Sequence, residues 1–178
     1  VWYIIRRRHA RRSRGTPIAR SVRGSRETTL LLISLSGLGL VPLIYAFTGF
    51  PAFADYPFQP ALAWLGLAFA IAALVMFRLT HKALGRYWSV SLQMREGHKL
   101  ISEGVYARIR HPMYTAFWLW AIAQALLLPN WIAGLSGVVG FGALYALRVG
   151  PEERMLVETF GDAYRDYMRR TGRLTPWF

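Results

Sequence analysis

Four stretches of the sequence are apolar enough, and nearly long enough, to cross a lipid bilayer, and this limits the possible folds more than any other feature. A transmembrane helix needs about 20 mostly apolar residues, because a hydrocarbon core about 30 Å thick is crossed at about 1.5 Å per residue. The four stretches are residues 28–48, 60–79, 114–128 and 131–147. The last two are short and nearly continuous, so they predict a tight helical hairpin that spans by tilting, by local thinning of the bilayer or by extension into the flanking residues.

The composition excludes an ordinary soluble domain. Of the 178 residues, 54% are hydrophobic and 17% are charged, whereas soluble domains contain about 45–50% apolar and about 25% charged residues. The absence of cysteine excludes disulfide bonds, thiolate metal sites and a cysteine nucleophile. The histidines are too scattered for a zinc site, so we expect no metal. They are His9, His81, His98 and His111.

The basic residues lie on one side of this layout. All 22 fall within residues 1–27, 78–110 and 148–178. The connection formed by residues 49–59 carries only Asp55. Because lysine and arginine accumulate in cytoplasmic loops, we predict that both termini and the central loop face the cytoplasm.

The N-terminal arm, residues 1–27, holds nine of the basic residues. Such an arm suits nucleic acid or anionic lipid, and its place beside an apolar span favours anionic lipid over nucleic acid. The apolar residues 1–5 lack a signal-peptide cleavage site, so they form an interfacial anchor or the end of a span that begins upstream. We assign residues 28–178 to a membrane domain whose chemistry lies in about residues 84–178.

The predicted fold is an all-α integral membrane protein with about four transmembrane helices, the last two forming a tight hairpin, and a cytosolic C-terminal amphipathic helix. This last helix is expected to begin at Pro151, because Glu152 and Glu153 then complement the helix dipole. Apolar and aromatic residues recur after it at helical spacing. Arg169 and Arg170 mark its end.

The central loop ends in a sequence suited to anion binding. His111 cannot easily be helical because it precedes Pro112, and proline suits the first turn of a helix. We therefore expect exposed backbone N–H groups and a positive helix end, which attract carboxylate and phosphate groups. The alternative is a membrane-interface anchor, in which arginines contact lipid phosphate and tyrosines lie in the aromatic belt. Its residues are Tyr106, Arg108, Arg110 and Tyr114.

Arg148, Glu152 and Glu153 follow the last span directly. Taken singly, the glutamates complement a helix dipole, and Arg148 pairs with Glu152 or extends to the interface. Their predicted depth, equal to that of the His111 junction, favours one shared site. Glycines in the last span suit either a nucleotide loop or close helix packing, and the apolar context favours packing. They are Gly134, Gly137, Gly140 and Gly142.

Two blocks of the sequence resemble the isoprenylcysteine carboxyl methyltransferase family and related phospholipid methyltransferases. The first block comprises His98-Lys99-Leu100-Ile101, Gly104, Tyr106 and Arg110-His111-Pro112-Met113-Tyr114. The second comprises Arg148, Glu152-Glu153, Phe160-Gly161, Tyr164, Tyr167 and Pro176. Together they cover about the C-terminal half of the chain.

The resemblance implies an enzyme that uses S-adenosyl-L-methionine in a cytosolic pocket closed by the C-terminal helix, with a lipophilic or prenylated substrate that enters from the bilayer. Residues in the corresponding family positions contact the cofactor; here they are His98, Lys99, Leu100, Ile101, Tyr106, His111, Pro112, Met113, Tyr114 and Glu152. Arg148 corresponds to the family's substrate-side residue and is the candidate catalytic residue. Gln93 is a further candidate for cofactor contact, although its spacing is shorter than in the family.

The chain departs from the family pattern after Tyr114, where Thr115-Ala116 stands in place of the usual glycine. Prenylated cysteines are a eukaryotic substrate, whereas a chain of this size resembles prokaryotic relatives, so we predict the inner membrane of a prokaryote. The acceptor is therefore not implied by the resemblance. A carboxylate is favoured, because Arg148 can bind it through two hydrogen bonds and methylation of a carboxylate needs no base.

Two other functions compete with methyl transfer. The C-terminal half also resembles NADPH-dependent membrane reductases of the sterol reductase kind, which usually carry more spans. A non-enzymatic scaffold that binds anionic lipid would explain the basic arm but not the grouped His, Glu and Arg residues.

Overall fold

The structure is a computed structural model that describes residues 24–84 and 100–176 in full and the backbone of residues 18–21 and 93–95. The elements in chain order are β1 (Ile18–Ser21), α1 (Ser25–Leu35), α2 (Val41–Thr48), α3 (Pro60–Leu84), β2 (Gln93–Arg95), α4 (Pro112–Leu127), α5 (Trp131–Phe160) and α6 (Asp162–Arg170). A π-helix, Ser36–Leu40, joins α1 to α2. Single 3-10 turns are formed by Ala52–Ala54 and Gly104–Ala107.

Among the described residues, three helical stretches are long and apolar enough to cross a membrane. They are Ser25–Thr48, Pro60–Leu84 and Trp131–Phe160. The third predicted span corresponds to α4, which has 16 residues and is therefore about 24 Å long at about 1.5 Å per residue. Since that is less than the hydrocarbon thickness, the count of four spans stays a prediction.

Contacts divide the chain into two compact units. The first contains residues 1–27, 74–115 and 149–178, and the second contains residues 28–73 and 116–148. Strands β1 and β2 form an antiparallel pair within the first unit, with Ser21 opposite Gln93. The all-α prediction is confirmed in the helices, and this small sheet is an addition to it.

Hydrogen bonds from two polar side chains connect the helices of the second unit at the π-helix. The carbonyl oxygen of Gly37 accepts hydrogen bonds from Gln124 Nε2 at 3.1 Å and from Ser136 Oγ at 2.8 Å. Gln124 Nε2 also donates to the carbonyl oxygen of Ala133 at 2.7 Å. Because hydrocarbon supplies no hydrogen-bond partner, a span must satisfy such backbone groups within the protein. The sequence analysis did not identify this role of Gln124.

Glycines allow these helices to approach closely. A Cβ atom added to Gly140 would lie 2.8 Å from the carbonyl oxygen of Ile33, and one added to Gly37 would overlap the carbonyl oxygen of Ser136. Small residues at helix contacts are typical of membrane proteins. The prediction that the glycines of the last span serve packing is therefore confirmed at Gly140.

The connection between α2 and α3 is tied to the turn that precedes α5. Asn130 is fully buried, and its Nδ2 donates to Pro51 O at 2.7 Å and to Asp55 Oδ1 at 2.8 Å. Its Oδ1 accepts the N–H of Ala133 at 2.8 Å, which caps the start of α5. Asp55 also accepts from Tyr45 Oη at 2.9 Å. Asp55, the single charged residue of this connection, thus holds the loop in place through its hydrogen bonds with Tyr45 and Asn130.

The prediction that a separate helix begins at Pro151 is wrong. Helix α5 continues through Pro151 to Phe160. Proline removes one backbone hydrogen bond and crowds the preceding turn, but the helix is not interrupted. The chain breaks instead at Gly161, where φ is 57°, a backbone conformation that favours glycine. The expected end at Arg170 is confirmed, because α6 stops there.

Replacing Gly37 by alanine should lower the melting temperature in detergent, because the new methyl group meets a backbone carbonyl that cannot move aside. Overpacking of this kind costs about 1–3 kcal/mol. Gly39→Ala is the matched control, since its nearest neighbour lies at 3.9 Å and alanine favours helix over glycine. Circular dichroism during heating measures both variants. Equal melting temperatures for Gly37→Ala and the wild-type protein would contradict the close approach.

Candidate functional site

A short C-terminal segment, residues 171–174, lies against the loop that leads into α4, and we call it the C-terminal strap. Arg110 N donates to Gly172 O at 2.8 Å, and His111 N donates to Arg173 O at 3.0 Å. In return, Gly172 N donates to Arg108 O at 3.0 Å. The expectation of an open backbone N–H at His111 is therefore wrong, because a carbonyl oxygen of the strap already accepts it.

Glu153 is the centre of the polar cluster in the first unit. Its side chain is 9% exposed, and Arg173 donates to both carboxylate oxygens, from Nε at 3.1 Å and from a terminal nitrogen at 2.6 Å. Arg110 Nε lies 3.4 Å and His111 Nε2 lies 3.2 Å from Glu153 Oε1. A buried carboxylate needs such charged partners because it has lost its hydration. Glu153 therefore does more than complement a helix dipole.

Arg110 connects this carboxylate to the end of α6. Its terminal nitrogen donates to Met168 O at 2.9 Å and to Thr171 O. Both carbonyl groups belong to the last turn of the helix or follow it directly, where a cation is favoured by the helix dipole. The side chain of Arg110 is 10% exposed. Within the described residues Arg110 therefore serves this cluster, and the alternative that it contacts lipid phosphate is wrong.

The imidazole of His111 lies between two adjacent carboxylates. Its Nε2 faces Glu153, while its Nδ1 is 3.9 Å from Glu152 Oε1. Tyr114 donates its hydroxyl to Glu152 Oε2, and the rings of Tyr114 and His111 are stacked with centroids 5.4 Å apart. Three of the predicted site residues, His111, Tyr114 and Glu152, are thus brought into direct contact.

Three tyrosines add buried phenols to the same unit. Burial raises the pKa of Tyr106 well above its ordinary value, and the charge of Glu152 raises it further. Burial also raises the pKa of Tyr164, with further contributions from Glu153 and Glu152. The pKa of Tyr167 is raised to about 12 by burial. All three phenols therefore stay protonated at neutral pH, and Tyr167 donates its hydroxyl hydrogen to Tyr106 O at 2.6 Å.

The remaining predicted residues are less fully defined. Pro112 is buried at the first position of α4, and Met113, Leu100 and Ile101 are half-buried. His98 and Lys99 lie outside the described residues, as does the side chain of Gln93. Arg148 lies on α5 in the second unit, four residues before Glu152.

The departure from the family pattern at Thr115 has a structural role. Its hydroxyl donates to Leu174 O at 2.6 Å, which attaches the C-terminal strap to the first turn of α4. Tyr167 similarly donates to Tyr106 O at 2.6 Å, which attaches α6 to the 3-10 turn. These positioning contacts, the ion pairs of Glu153 and the role of Arg173 could not be predicted, since no local pattern links residues so far apart in the chain.

Comparisons with known proteins identify a family with a similar sequence. The model of the isoprenylcysteine carboxyl methyltransferase (ICMT) family matches residues 64–158. A protein of Schizosaccharomyces pombe named protein-S-isoprenylcysteine O-methyltransferase is 33% identical over 81 residues, which cover 46% of this chain and 34% of that protein. Protein-S-isoprenylcysteine O-methyltransferase B of Arabidopsis thaliana is 26% identical over 168 residues, which cover 90% of this chain and 84% of that protein.

A solved structure has a similar fold. The eukaryotic intramembrane Ras methyltransferase ICMT superimposes with a TM-score of 0.59 at 24% identity, covering 88% of this chain and 54% of that one. The chain thus spans about a third of the fission yeast relative and about half of the solved protein.

Replacing Glu153 by alanine should destabilise the protein strongly, because it leaves buried cations without their carboxylate. Breaking a buried ion pair costs about 3–5 kcal/mol. Asp166→Ala is the control, since Asp166 pairs with Arg169 at 3.4 Å on the surface, where such pairs contribute about 0–1 kcal/mol. Thermal unfolding in detergent compares the two. A loss no larger for Glu153→Ala than for Asp166→Ala would show that the cluster does not hold the fold.

Proposed function

The chain belongs to the isoprenylcysteine carboxyl methyltransferase family, and from that premise we propose that it transfers a methyl group from S-adenosyl-L-methionine to a carboxylate on a lipophilic or membrane-associated acceptor. The observation that carries the proposal is the contact of Glu152 with His111 and Tyr114 in one partly buried cluster. All three occupy positions that contact the cofactor in the family. The methyltransferase names of the matched proteins support the same reaction.

Glu152 is proposed to bind the cofactor amino group in preference to Glu153, because its side chain is the more exposed of the two. Glu153 is saturated by Arg110, His111 and Arg173, and its side chain is 9% exposed. The side chain of Glu152 is 25% exposed, so a ligand can reach it. A carboxylate that is partly desolvated binds an ammonium group more strongly than one in bulk water. The residues present therefore fit the ammonium group of S-adenosyl-L-methionine.

The chemistry requires positioning more than proton transfer. S-adenosyl-L-methionine supplies a methyl group on a sulfonium, which passes to a carboxylate oxygen and leaves a neutral thioether. Arg148 is proposed to hold the acceptor carboxylate through two hydrogen bonds, which aligns one oxygen with the methyl group. Since a carboxylate is already deprotonated, no side chain has to act as a base.

The other cofactor-binding residues are proposed from the family positions that they occupy. In addition to Glu152, His111 and Tyr114, they are His98, Lys99, Leu100, Ile101, Tyr106, Pro112 and Met113. The backbone N–H of His111 is not available to the cofactor carboxylate, because Arg173 O accepts it. The imidazole of His98 is proposed to take that role.

The lipophilic or prenylated acceptor is proposed to enter from the bilayer, and the N-terminal arm to bind anionic lipid. The apolar helices and the nine basic residues of residues 1–27 support these two parts. A decrease in binding to anionic vesicles at high salt tests the second part. An NADPH-dependent reductase or a lipid-binding scaffold is not favoured, since the matched proteins are named as methyltransferases.

The location is proposed from the charge distribution and the size of the chain. Both termini are placed in the cytoplasm because the basic residues gather in segments on that side. The inner membrane of a prokaryote is proposed on chain size, although the matched relatives named above come from eukaryotes.

Purified protein in detergent should bind S-adenosylhomocysteine, the product form of the cofactor, and Glu152→Ala should bind it about tenfold or more weakly. The reason is the loss of a charged hydrogen bond to the ligand amino group, which contributes about 1.5–3 kcal/mol. His98→Ala should also weaken binding. Isothermal titration calorimetry measures each affinity. Absence of binding to the wild-type protein at millimolar ligand would exclude the proposed function.

Arg148→Ala should leave S-adenosylhomocysteine affinity unchanged and abolish turnover, because the arginine is assigned to the acceptor and not to the cofactor. The readout is transfer of a labelled methyl group to a prenylated cysteine that has a free carboxylate. Arg154→Ala, which removes an exposed arginine of the same helix, is the control and should retain activity. Normal turnover by Arg148→Ala would refute the assigned role.

A further inference from the structure

The buried hydroxyl of Tyr164 has no hydrogen-bond partner among the described residues. Tyr164 lies on α6 and is 2% exposed, and its Oη is inaccessible to solvent. The neighbouring Tyr167 on the same helix is 4% exposed, but its hydroxyl donates to Tyr106 O at 2.6 Å. The two rings lie 5.8 Å apart. Of two buried tyrosines on one face of α6, Tyr167 therefore has a hydrogen-bond partner for its hydroxyl, and Tyr164 has none among the described residues.

A buried phenol without a partner destabilises the folded protein. Burial of such a group is unfavourable when no hydrogen bond replaces its hydration. Phenylalanine would fill the same space without that cost. The cost is recovered if the hydroxyl acquires a partner when a ligand binds.

The charges around Tyr164 identify which part of a ligand it would meet. Tyr164 lies one turn before Tyr167, whose hydroxyl bonds Tyr106 O at 2.6 Å, and the charges of Glu153, Glu152 and Arg110 act on the Tyr164 hydroxyl. Glu153 and Arg110 are bonded to each other and to the end of α6. Glu152 is the more exposed glutamate and the proposed partner of the cofactor amino group. Tyr164 therefore belongs to the surroundings of the amino-acid end of the cofactor.

We propose that Tyr164 is a further cofactor-binding residue, whose hydroxyl donates a hydrogen bond to the carboxylate at the amino-acid end of S-adenosyl-L-methionine. This inference rests on the proposed function. Because the hydroxyl is inaccessible to solvent, the proposal requires the side chains around it to move when the ligand binds. The hydrogen bond that results is shielded from water, which strengthens it.

The test compares Tyr164→Phe with Tyr167→Phe in the full chain. Without ligand, Tyr164→Phe should melt at the same temperature as the wild-type protein or higher, because it removes an unsatisfied hydroxyl. Tyr167→Phe should melt lower, because it removes a satisfied one. With S-adenosylhomocysteine, Tyr164→Phe should bind about tenfold more weakly, as expected for loss of one hydrogen bond to a charged group.

A second ligand tests which part of the cofactor Tyr164 contacts. 5′-Methylthioadenosine has the same nucleoside and sulfur but lacks the amino-acid end, so Tyr164→Phe should bind it with wild-type affinity. Tyr167→Phe should leave the ratio of the two dissociation constants unchanged. Both ligands are measured by isothermal titration calorimetry.

Three results would overturn the inference while leaving the proposed function intact. They are unchanged affinity of Tyr164→Phe for S-adenosylhomocysteine, an equal loss for both ligands, and a lower melting temperature of ligand-free Tyr164→Phe. Failure of the wild-type protein to bind S-adenosylhomocysteine is a separate outcome, since it overturns the proposed function and this inference together.

Discussion

The candidate site depends on the neutralisation of one buried carboxylate. Glu153 would be very costly to bury alone, and it is tolerated because Arg110, His111 and Arg173 surround it. These partners come from the loop before α4 and from the C-terminal strap, so satisfying one charge aligns two segments distant in sequence with α5. Arg110 extends the network to the end of α6. The adjacent Glu152 is thereby placed between His111 and Tyr114.

The helices of the second unit obey a different constraint, because hydrocarbon offers no hydrogen-bond partners. The π-helix after α1 presents the carbonyl of Gly37, and Gln124 and Ser136 donate to it. Close approach at Gly140 makes these contacts possible. Asn130 similarly satisfies polar groups of the loop that contains Asp55. Gln124, Ser136 and Asn130 thus donate to backbone carbonyl groups that lipid could not satisfy.

Local sequence patterns pointed to part of the candidate site, but one of them predicted a helix boundary that the structure does not have. The Arg-His-Pro-x-Tyr and Glu-Glu motifs located His111, Tyr114 and Glu152, because their chemistry is visible in short stretches. The residues around Pro151 predict the start of a helix, yet α5 continues through Pro151 to Phe160, so a local preference for a helix start did not decide the boundary. The contacts of Arg110 with α6 and Glu153 could not be predicted, because nothing in the sequence around residue 110 reveals which distant carbonyl groups approach it.

The sequence by itself determined that the chain is a membrane protein and which family it belongs to, since hydrophobic length and motif spacing are properties of the linear chain. Only the tertiary structure decided that Glu153 is paired with Arg110 and Arg173 while Glu152 stays accessible. It also showed that the backbone N–H of His111 donates to the strap. Finally, it showed that the Tyr167 hydroxyl has a hydrogen-bond partner and the Tyr164 hydroxyl has none among the described residues. Those distinctions depend on distances between residues far apart in sequence. Such distances are set by packing and by the need to pair every buried charge and polar group.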